Sequence, residues 1–415
     1  MPATEPEDRA LAPAEAFAAL VGAMDPIGAV ESIAVEDAAG RIAAGSTSAL
    51  RAVPPFNQSA VDGYAVPEAI SRDQLPHQLH VTEFAAAGDP SPRALGQGEA
   101  MRIATGGVVP SGTAAVVMWE HCDREGRDVL VGRDVEAGAN IRRRGEDVAP
   151  GDKLLARGML LNSRHIAMLL AAGIGRVDVA ARLRVAVVST GNEVRRVGTE
   201  AADHEIYDAN GPALRSLLRA PWLDPIDGGI VRDDTAALAA SLKTLATDCD
   251  AILTSGGAAG SDTDHTLAAI LMASGTARQL QLAQRPGKPL VLGAIGNVPV
   301  LGLPGNTVAA LVNCMLYGRP MLQRRAGMSP IWRGGRPALA HSTFEHKAGR
   351  TYFVPARLVS VAADGRPVLE PLARGGTALL QPFALADGLA ELPASSGEIS
   401  PGDPVLFHSF DALTA

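Results

Sequence analysis

The residues of this chain that are best suited to chemistry are acids and cations in glycine-rich loops that follow short apolar runs. Glu193, Asp233 and Asp264 are such acids, and the turn Arg285-Pro-Gly-Lys288 places two cations three residues apart. Cations and open backbone amides suit phosphate or another oxyanion. The acids repel that ligand unless Mg²⁺, which prefers carboxylate oxygens, lies between them. The combination indicates a Mg²⁺-assisted enzyme that acts on an anionic, phosphorylated substrate.

Each of these positions also has an ordinary structural interpretation. Asp62 stands in an Asp-Gly pair between apolar runs, which is a common hairpin turn, unless its carboxylate projects into a cleft. Thr105 lies in either a β-loop-β connection or a loop whose amides face an anion. Glu193 fits the first turn of a helix that begins near Thr190. Asp233 or the acid after it fits a helix cap.

Three apolar runs must position these loops. Each run with its loop lies at residues 183–193, 250–257 and 298–306. Short apolar runs without alternation are typical of strands buried on both faces of a parallel sheet. Helical patterns lie between and after them, the last one behind Asn306 as its N-cap. Strand, glycine loop and helix in repetition predict an open α/β sheet that binds ligands at the carboxyl ends of its strands.

The rest of the chain predicts further domains. The region before the α/β sheet is rich in Gly, Pro and Val and poor in helical periodicity, and short β runs follow the sheet. A helix near Pro13 and a helix capped by Asn162 or Ser163 are expected to pack together and so join two separated segments. We therefore predict a discontinuous N-terminal domain with helices, a mainly β domain, a central open α/β domain and a small all-β C-terminal domain. Their predicted bounds are, in that order, 1–51 with 145–180, 52–144, 181–327 and 328–415.

The composition argues against several classes of protein. The chain has 415 residues, 47% of them hydrophobic and 4% aromatic, and a net charge of −8. Its densest basic cluster, Arg142-Arg-Arg144, is more typical of a solvated turn than of a nucleic-acid surface, and no apolar run reaches the length of a membrane span. Cys122, Cys249 and Cys314 lack the spacing of zinc ligands or disulfides. We expect a cytoplasmic protein that binds neither nucleic acid nor a membrane.

Several stretches, in order along the chain, resemble the molybdopterin molybdenumtransferase family, the MoeA-like proteins related to the C-terminal part of gephyrin. They lie at residues 55–65, 105–107, 144–147, 189–193, 206–211, 255–257, 286–289 and 302–306. The resemblance covers nearly the whole chain and implies an elongated homodimer of four-domain subunits, with a cleft built from both subunits. It also implies an enzyme that inserts molybdate into adenylylated molybdopterin and releases AMP, with Mg²⁺ or a similar ion.

Carried over by position, the resemblance assigns roles to particular residues. The implied catalytic residues are Asp62, Thr105, Glu193, Asp233, Asp264 and Lys288, and the implied metal ligands among them are Glu193, Asp233 and Asp264. The implied cofactor-binding residues are Gly191, Ser255, Gly256, Gly257, Arg285, Lys288, Pro304, Gly305, Asn306 and Thr377. The implied reaction cleaves the phosphoric anhydride between AMP and the pterin phosphate, after which the freed dithiolene holds molybdenum. The implied partners are the adenylyltransferase that supplies the substrate and the apo-proteins that receive the product.

The chain departs from the family pattern at several positions. Asn57 and Asn192 stand where the family usually has Asp, and Ala259 stands where it has Ser. Thr307 replaces a common proline, and Pro355 replaces an arginine. The changes at Asn57, Asn192 and Pro355 remove charge from the expected site.

Three hypotheses stay open at this point. The first is the molybdenum-inserting enzyme, and the second is a non-catalytic or diverged cofactor-binding scaffold on the same fold. The third is a Mg²⁺-dependent nucleotide pyrophosphatase, although the chain has neither a Walker-type Gly-Lys-Ser/Thr loop nor a Gly-x-Gly-x-x-Gly loop. The retained acids and Lys288 favour catalysis, because a scaffold needs no such set.

Overall fold

A computed structural model of the chain describes residues 9–90, 92–257, 265–372 and 378–414. The predicted fold class is confirmed, because a central open α/β domain follows a mainly β domain and precedes a small all-β domain. The exact domain bounds stay a prediction. Among the described residues, no helix combines the length and apolar character that crossing a membrane requires.

The central sheet has six strands, joined by three parallel pairings and then two antiparallel pairings at one end. In spatial order they are Leu223–Val231, Leu183–Thr190, Ala251–Ser255, Val298–Leu303, Pro289–Ile295 and Thr276–Gln281. The three predicted strands stand side by side within it. Val185 and Val187 enter the core on one face of the sheet, and Ala186 and Val188 enter the core on the other. This burial on both faces is why the run shows no polar alternation.

Helices cover both faces of this sheet. Their bounds are Asn210–Leu217, Thr235–Asp248, His265–Met272, Thr307–Asn313 and Arg319–Arg325. Asn306 is an N-cap as predicted, since its Oδ1 accepts the N–H of Ala309 at 3.0 Å. A π-helical turn, Cys314–Gly318, joins the last two helices. It lies next to Pro320, which has no N–H for the regular helical ladder.

The mainly β domain contains a six-stranded sheet. In spatial order its strands are Ala115–Met118, Gly63–Val66, Glu99–Ile103, His77–Ala85, Asp128–Val131 and Cys122–Glu125, with helical turns at Arg72–Gln74 and Trp119–His121. The strand before Asp62, Gln58–Ser59, pairs with Ile141–Arg142 and not with the strand after Asp62. The hairpin interpretation of the Asp-Gly pair is therefore wrong, because neighbours in sequence are not partners in the sheet.

Two separated segments near the N-terminus share one small core. Val30–Ala34 pairs antiparallel with Arg176–Ala180, and Thr47–Ser48 pairs with Lys153–Leu155. The helix Ser163–Ala171, capped by Asn162, packs on the same core, which also includes the helical turn Val35–Asp37.

The first helix, Pro13–Gly22, belongs to a different core. Its buried residues Phe17 and Leu20 lie in one hydrophobic cluster with Tyr317 and Met321 of the α/β domain. The predicted packing of this helix on the helix after Asn162 is therefore wrong. A helical apolar stripe shows which face is buried but not which partner covers it.

The C-terminal domain is a closed ring of strands. In order they are Thr351–Val361, Pro367–Pro371, Arg336–Ala340, Pro404–Ser409 and Gly388–Leu392, and the last pairs back with the first. Two short helices, Leu380–Ala384 and Phe410–Thr414, flank the ring. Gln284–Arg285, from the α/β region, adds in parallel to the strand Thr351–Val361. Arg285 therefore lies at the junction of the two domains.

Candidate active site

A cavity of about 280 Å³ lies at the carboxyl ends of the parallel strands, where an open α/β sheet binds its ligands. Four loops form its walls, each following one parallel strand. They contribute Gly191, Asp233, Gly256 and Gly305 in chain order. The edge of the sheet at which we predict ligand binding therefore contains a cavity.

Many of the residues predicted for the site border this cavity. They are the acids Glu193 and Asp233 and the loop residues Gly191, Ser255, Gly256, Gly257 and Gly305. Gly256 has a φ of +103°, and a Cβ there would lie 2.5 Å from Thr190 Oγ1. Only glycine fits this approach of two loops. The roles assigned to these residues stay predictions.

Asp233 borders the cavity and is not needed as a helix cap, because its neighbour has that role. Asp234 caps the following helix, and its Oδ1 accepts the N–H groups of Ala236 and Ala237 at 2.8 and 3.0 Å. Asp233 instead exchanges hydrogen bonds with Asn192. The Asn192 N–H donates to Asp233 Oδ2 at 3.2 Å, and the Asp233 N–H donates to Asn192 Oδ1 at 3.3 Å. The two loops that carry the acids are thus joined.

Glu193 does not begin a helix. The chain turns there into a short strand, Val194–Arg195, which pairs with Ile206–Tyr207. The helix-cap interpretation of this acid is therefore wrong. Ile206 and Tyr207 are exposed and also border the cavity, so they add an apolar wall beside the carboxylate.

Several arginines of the α/β domain are already paired. Arg195 forms an ion pair with Glu205. Arg196 and Arg215 bind Asp227 at 3.0 and 2.9 Å. Burial acts to raise the pKa of Asp227, but these two guanidinium groups hold that pKa below its ordinary value. The guanidinium groups of these arginines are therefore engaged by protein carboxylates.

Two cations predicted for the site are exposed and form no ion pair within the described ranges. They are Arg285 and Lys288. The guanidinium of Arg285 lies 5.6 Å from the ring centroid of Tyr352. A cation held by an aromatic face still keeps donors for an anionic ligand.

Lys288 lies at the same edge of the sheet as the cavity, although neither cation borders the cavity itself. The strand that follows Lys288 runs antiparallel to the strand that precedes Pro304, with Val291 opposite Gly302. The start of one strand therefore meets the end of the other. This register places Lys288 beside the loop 304–306.

Asn210 was not selected from the sequence, yet it ties two walls of the cavity together. Its Nδ2 donates to Ser255 Oγ and to the carbonyl of Gly305, both at 2.7 Å. Ser255 Oγ in turn donates to the carbonyl of Pro304 at 3.2 Å. The signal was present in the stretch 206–211, which carries the family resemblance, but spacing alone gave no reason to choose this amide.

Asp208 is a second residue that the sequence interpretation missed. Its Oδ1 accepts the hydroxyl of Ser189 at 2.9 Å and the N–H of Gly211 at 3.0 Å. It borders the cavity, but this oxygen is engaged by the protein. We interpret Asp208 as a structural residue that fixes the loop before Gly211 to the strand that contains Ser189.

Asp62 and Thr105 lie elsewhere, in the mainly β domain. The Thr105 N–H donates to Asp62 Oδ1 at 2.8 Å, and both residues are exposed. Among the described residues, the hydrogen bonds of this pair stay within that domain. The structure does not bring the pair to the cavity of its own chain.

The remaining predicted residues divide into two groups. Pro304 and Asn306 flank the cavity, the first through its carbonyl and the second as the helix cap. Asp264, Ala259 and Thr377 lie outside the described residues.

The donor set of the cavity suits Mg²⁺. Mg²⁺ is usually held by one or two carboxylates together with substrate phosphates and water, and Glu193 and Asp233 supply two carboxylates at one cavity. Within the described ranges no cluster of three or more His, Cys, Asp or Glu residues could hold a metal by itself. The predicted third ligand, Asp264, lies outside those ranges. The residues present therefore fit a metal that the substrate helps to bind.

A larger depression, of about 700 Å³, lies between residues 23–28 and the antiparallel edge of the sheet. It contains none of the predicted site residues. Arg325 lines it, but this guanidinium donates to the carbonyls of Asp25 and Asn297, both at 2.7 Å. Burial lowers the pKa of Arg325. We therefore attribute this depression to the packing of these segments and do not assign a ligand to it.

Three family models match the chain in succession. Residues 11–173 match the MoeA N-terminal region (domain I and II), and residues 186–324 match a probable molybdopterin binding domain. Residues 337–410 match the MoeA C-terminal region (domain IV).

Similar proteins cover the same length. The molybdopterin molybdenumtransferase of Haemophilus influenzae is 31% identical over 388 residues, which are 92% of this chain and 94% of that protein. Molybdopterin molybdenumtransferase 2 of Mycobacterium tuberculosis is 30% identical and covers 89% of this chain and 93% of its own length. A crystal structure of a molybdopterin biosynthesis MoeA protein from Pyrococcus horikosii has a TM-score of 0.77 at 30% identity, with 97% of this chain and 99% of that chain covered.

Proposed function

Since the chain belongs to the molybdopterin molybdenumtransferase family, whose members are enzymes of molybdenum cofactor biosynthesis, we propose that it inserts molybdate into adenylylated molybdopterin and releases AMP. One observation supports this most directly. Glu193 and Asp233 border one cavity with the glycine loops at the carboxyl ends of the parallel strands. A phosphate can be bound by such backbone amides, while the acids hold a divalent cation.

The cleavage step needs charge stabilisation more than it needs a nucleophilic side chain. Glu193 and Asp233 would hold Mg²⁺, which when bound would supply positive charge to the anhydride that joins AMP to the pterin phosphate. Lys288 and Arg285 bind phosphate oxygens from the edge of the sheet. Asn210 keeps Ser255 and the loop at Gly305 in fixed positions, so that these donors need no rearrangement as charge develops.

A homodimer accounts for the residues that lie away from the cavity. Asp62 and Thr105 are exposed on the mainly β domain and make no hydrogen bond to the α/β domain of their own chain, as far as the described residues go. In our proposal each pair completes the cleft of the other copy. We further propose that the chain works in the cytoplasm, receives its substrate from an adenylyltransferase and passes its product to molybdoenzyme apo-proteins.

The test is AMP release by the purified protein with adenylylated molybdopterin, Mg²⁺ and molybdate. We expect release that requires Mg²⁺ and rises when molybdate is added. Binding of the substrate without release would favour the non-catalytic scaffold. Release that is equally fast without molybdate, and that extends to other nucleotide anhydrides, would favour a pyrophosphatase.

A further inference from the structure

Three polar side chains lie together in the core behind the turn that carries Arg285 and Lys288. They are Gln284, Asn313 and Tyr317, whose exposed fractions are 1%, 0% and 0%. Buried polar groups cost free energy unless they are hydrogen-bonded, so such a group in an aliphatic core needs a reason. None of the three borders the cavity.

The hydrogen bonds of this group converge on the backbone of the turn. Gln284 Nε2 donates to the carbonyl of Pro286 at 3.0 Å and to Asn313 Oδ1 at 2.7 Å. Asn313 Nδ2 donates to the carbonyl of Gly287 at 3.3 Å. The Tyr317 hydroxyl donates to Gln284 Oε1. The two carbonyls held in this way belong to the two residues between Arg285 and Lys288.

The fit between helix and turn is tight. Gly287 has a φ of +82°, and a Cβ at this position would lie 2.5 Å from Asn313 Nδ2. The turn therefore rests directly on the Asn313 amide. Tyr317 stands on the π-helical turn Cys314–Gly318, a local irregularity that is frequent at functional sites.

The same helix also carries a wall of the cavity. It begins at its cap Asn306, beside the loop at Gly305. Asn313 follows seven residues later, which is about two helical turns, so the two amides lie on one face. One rigid element thus contacts the loop of the cavity at its start and the turn of the cations further along.

We infer that Gln284, Asn313 and Tyr317 are positioning residues that fix Arg285 and Lys288 relative to the phosphate-binding loop. The inference rests on the proposed function, because it assumes that the two cations bind phosphate. The network acts only through the backbone of residues 285–288. Its loss leaves both cations in place but allows the turn to move, and small displacements of binding groups weaken catalysis strongly.

Two variants remove the network without removing a charge. Gln284→Met has a similar volume but no donor or acceptor for the turn, and Tyr317→Phe loses only the hydroxyl. Val312→Ala is the matched control, since Val312 is buried next to Asn313 on the same helix and makes no side-chain hydrogen bond. Each variant is made in the full chain, alone and together with Lys288→Ala.

Four quantities are measured for each protein: the thermal midpoint, the affinity for AMP by calorimetry, and KM and kcat of AMP release. We expect Gln284→Met to weaken AMP binding and raise KM by about tenfold, with a smaller effect of the same kind for Tyr317→Phe. Val312→Ala should lower the thermal midpoint and leave AMP affinity unchanged. In the Lys288→Ala background the network variants should add less than they cost in the wild type, because only Arg285 is then left to position and coupled residues are not additive.

The outcomes separate this inference from the proposed function. If the network variants affect AMP binding no more than Val312→Ala does, or if their effects add fully to that of Lys288→Ala, the inference is overturned. Wild-type protein that binds no AMP overturns it as well. Wild-type protein that binds AMP but releases none from the adenylylated substrate overturns only the proposed function, and the AMP affinities still test the network.

Discussion

Asp233 and Asp234 are adjacent acids with different roles. A negative charge of the candidate site and a negative charge of a helix cap can therefore be removed separately, at neighbouring positions. Asp234 accepts two helix N–H groups at 2.8 and 3.0 Å, whereas Asp233 exchanges hydrogen bonds of 3.2 and 3.3 Å with Asn192 and borders the cavity. Each alanine substitution removes one negative charge from nearly the same place. Any long-range electrostatic effect is therefore shared by the two variants.

The expected effects on stability differ in size. Asp234→Ala loses a helix cap, which costs about 1 kcal/mol and lowers the thermal midpoint by about 2–4 °C for a domain of this size. Asp233→Ala loses only the bond from the Asn192 N–H, worth about 0.5 kcal/mol. That loss is offset because the variant also removes repulsion between two carboxylates at one cavity. We expect Asp233→Ala to be as stable as the wild type.

The expected effects on activity are reversed. Asp233→Ala removes a proposed Mg²⁺ ligand, so AMP release should fall by at least about a hundredfold, while Asp234→Ala should keep near wild-type rates. Thermal melts and AMP-release rates at saturating Mg²⁺ measure both properties. Retained activity in Asp233→Ala, or an equal loss in Asp234→Ala, would refute the assignment of Asp233 to the metal.

Three further results are expected. Lys288→Ala should change the free energy of unfolding by no more than about 0.5 kcal/mol, because the side chain is exposed, and should slow AMP release by about ten- to a thousandfold; unchanged turnover would remove Lys288 from the site. Sedimentation at micromolar concentration should show a dimer, and a single species of 42.8 kDa would contradict a cleft shared between copies. Asn192→Asp keeps the acceptor for the Asp233 N–H but adds charge. This variant should therefore melt lower in EDTA and reach half-maximal rate at a Mg²⁺ concentration lower by about threefold or more; an unchanged Mg²⁺ requirement would place Asn192 away from the metal.

The strands that could be predicted are those whose burial leaves one clear pattern. Leu183–Thr190 is covered on both faces and is apolar without a break from Val185 to Val188, so the sequence alone indicates a parallel strand. Leu223–Val231 is an edge strand of the same sheet, with polar residues and only partial burial. Its composition resembles a loop, and it was not predicted for that reason.

Contacts between distant polar residues could not be predicted at all. Asn210 is hydrogen-bonded to Ser255 and Gly305, which lie 45 and 95 residues further along the sequence. No local periodicity indicates such a contact. The same holds for Gln284 and Tyr317, which are 33 residues apart. Local propensity identifies caps such as Asn306, since a cap bonds within its own turn. Local propensity gives no information on the side chains that join two loops.

The two positions where an amide replaces an expected carboxylate share one physical property. Asn57 Oδ1 accepts the N–H of Arg144 at 2.9 Å, and Asn192 Oδ1 accepts the N–H of Asp233 at 3.3 Å. A carboxylate oxygen accepts such a bond equally well, so the geometry of each loop is kept while one negative charge is lost. At Asn192 the charge is lost next to Glu193 and in hydrogen-bond contact with Asp233, and both of these acids border the cavity. Less repulsion remains there for an anionic substrate to overcome, and more of the metal's binding must come from the substrate itself.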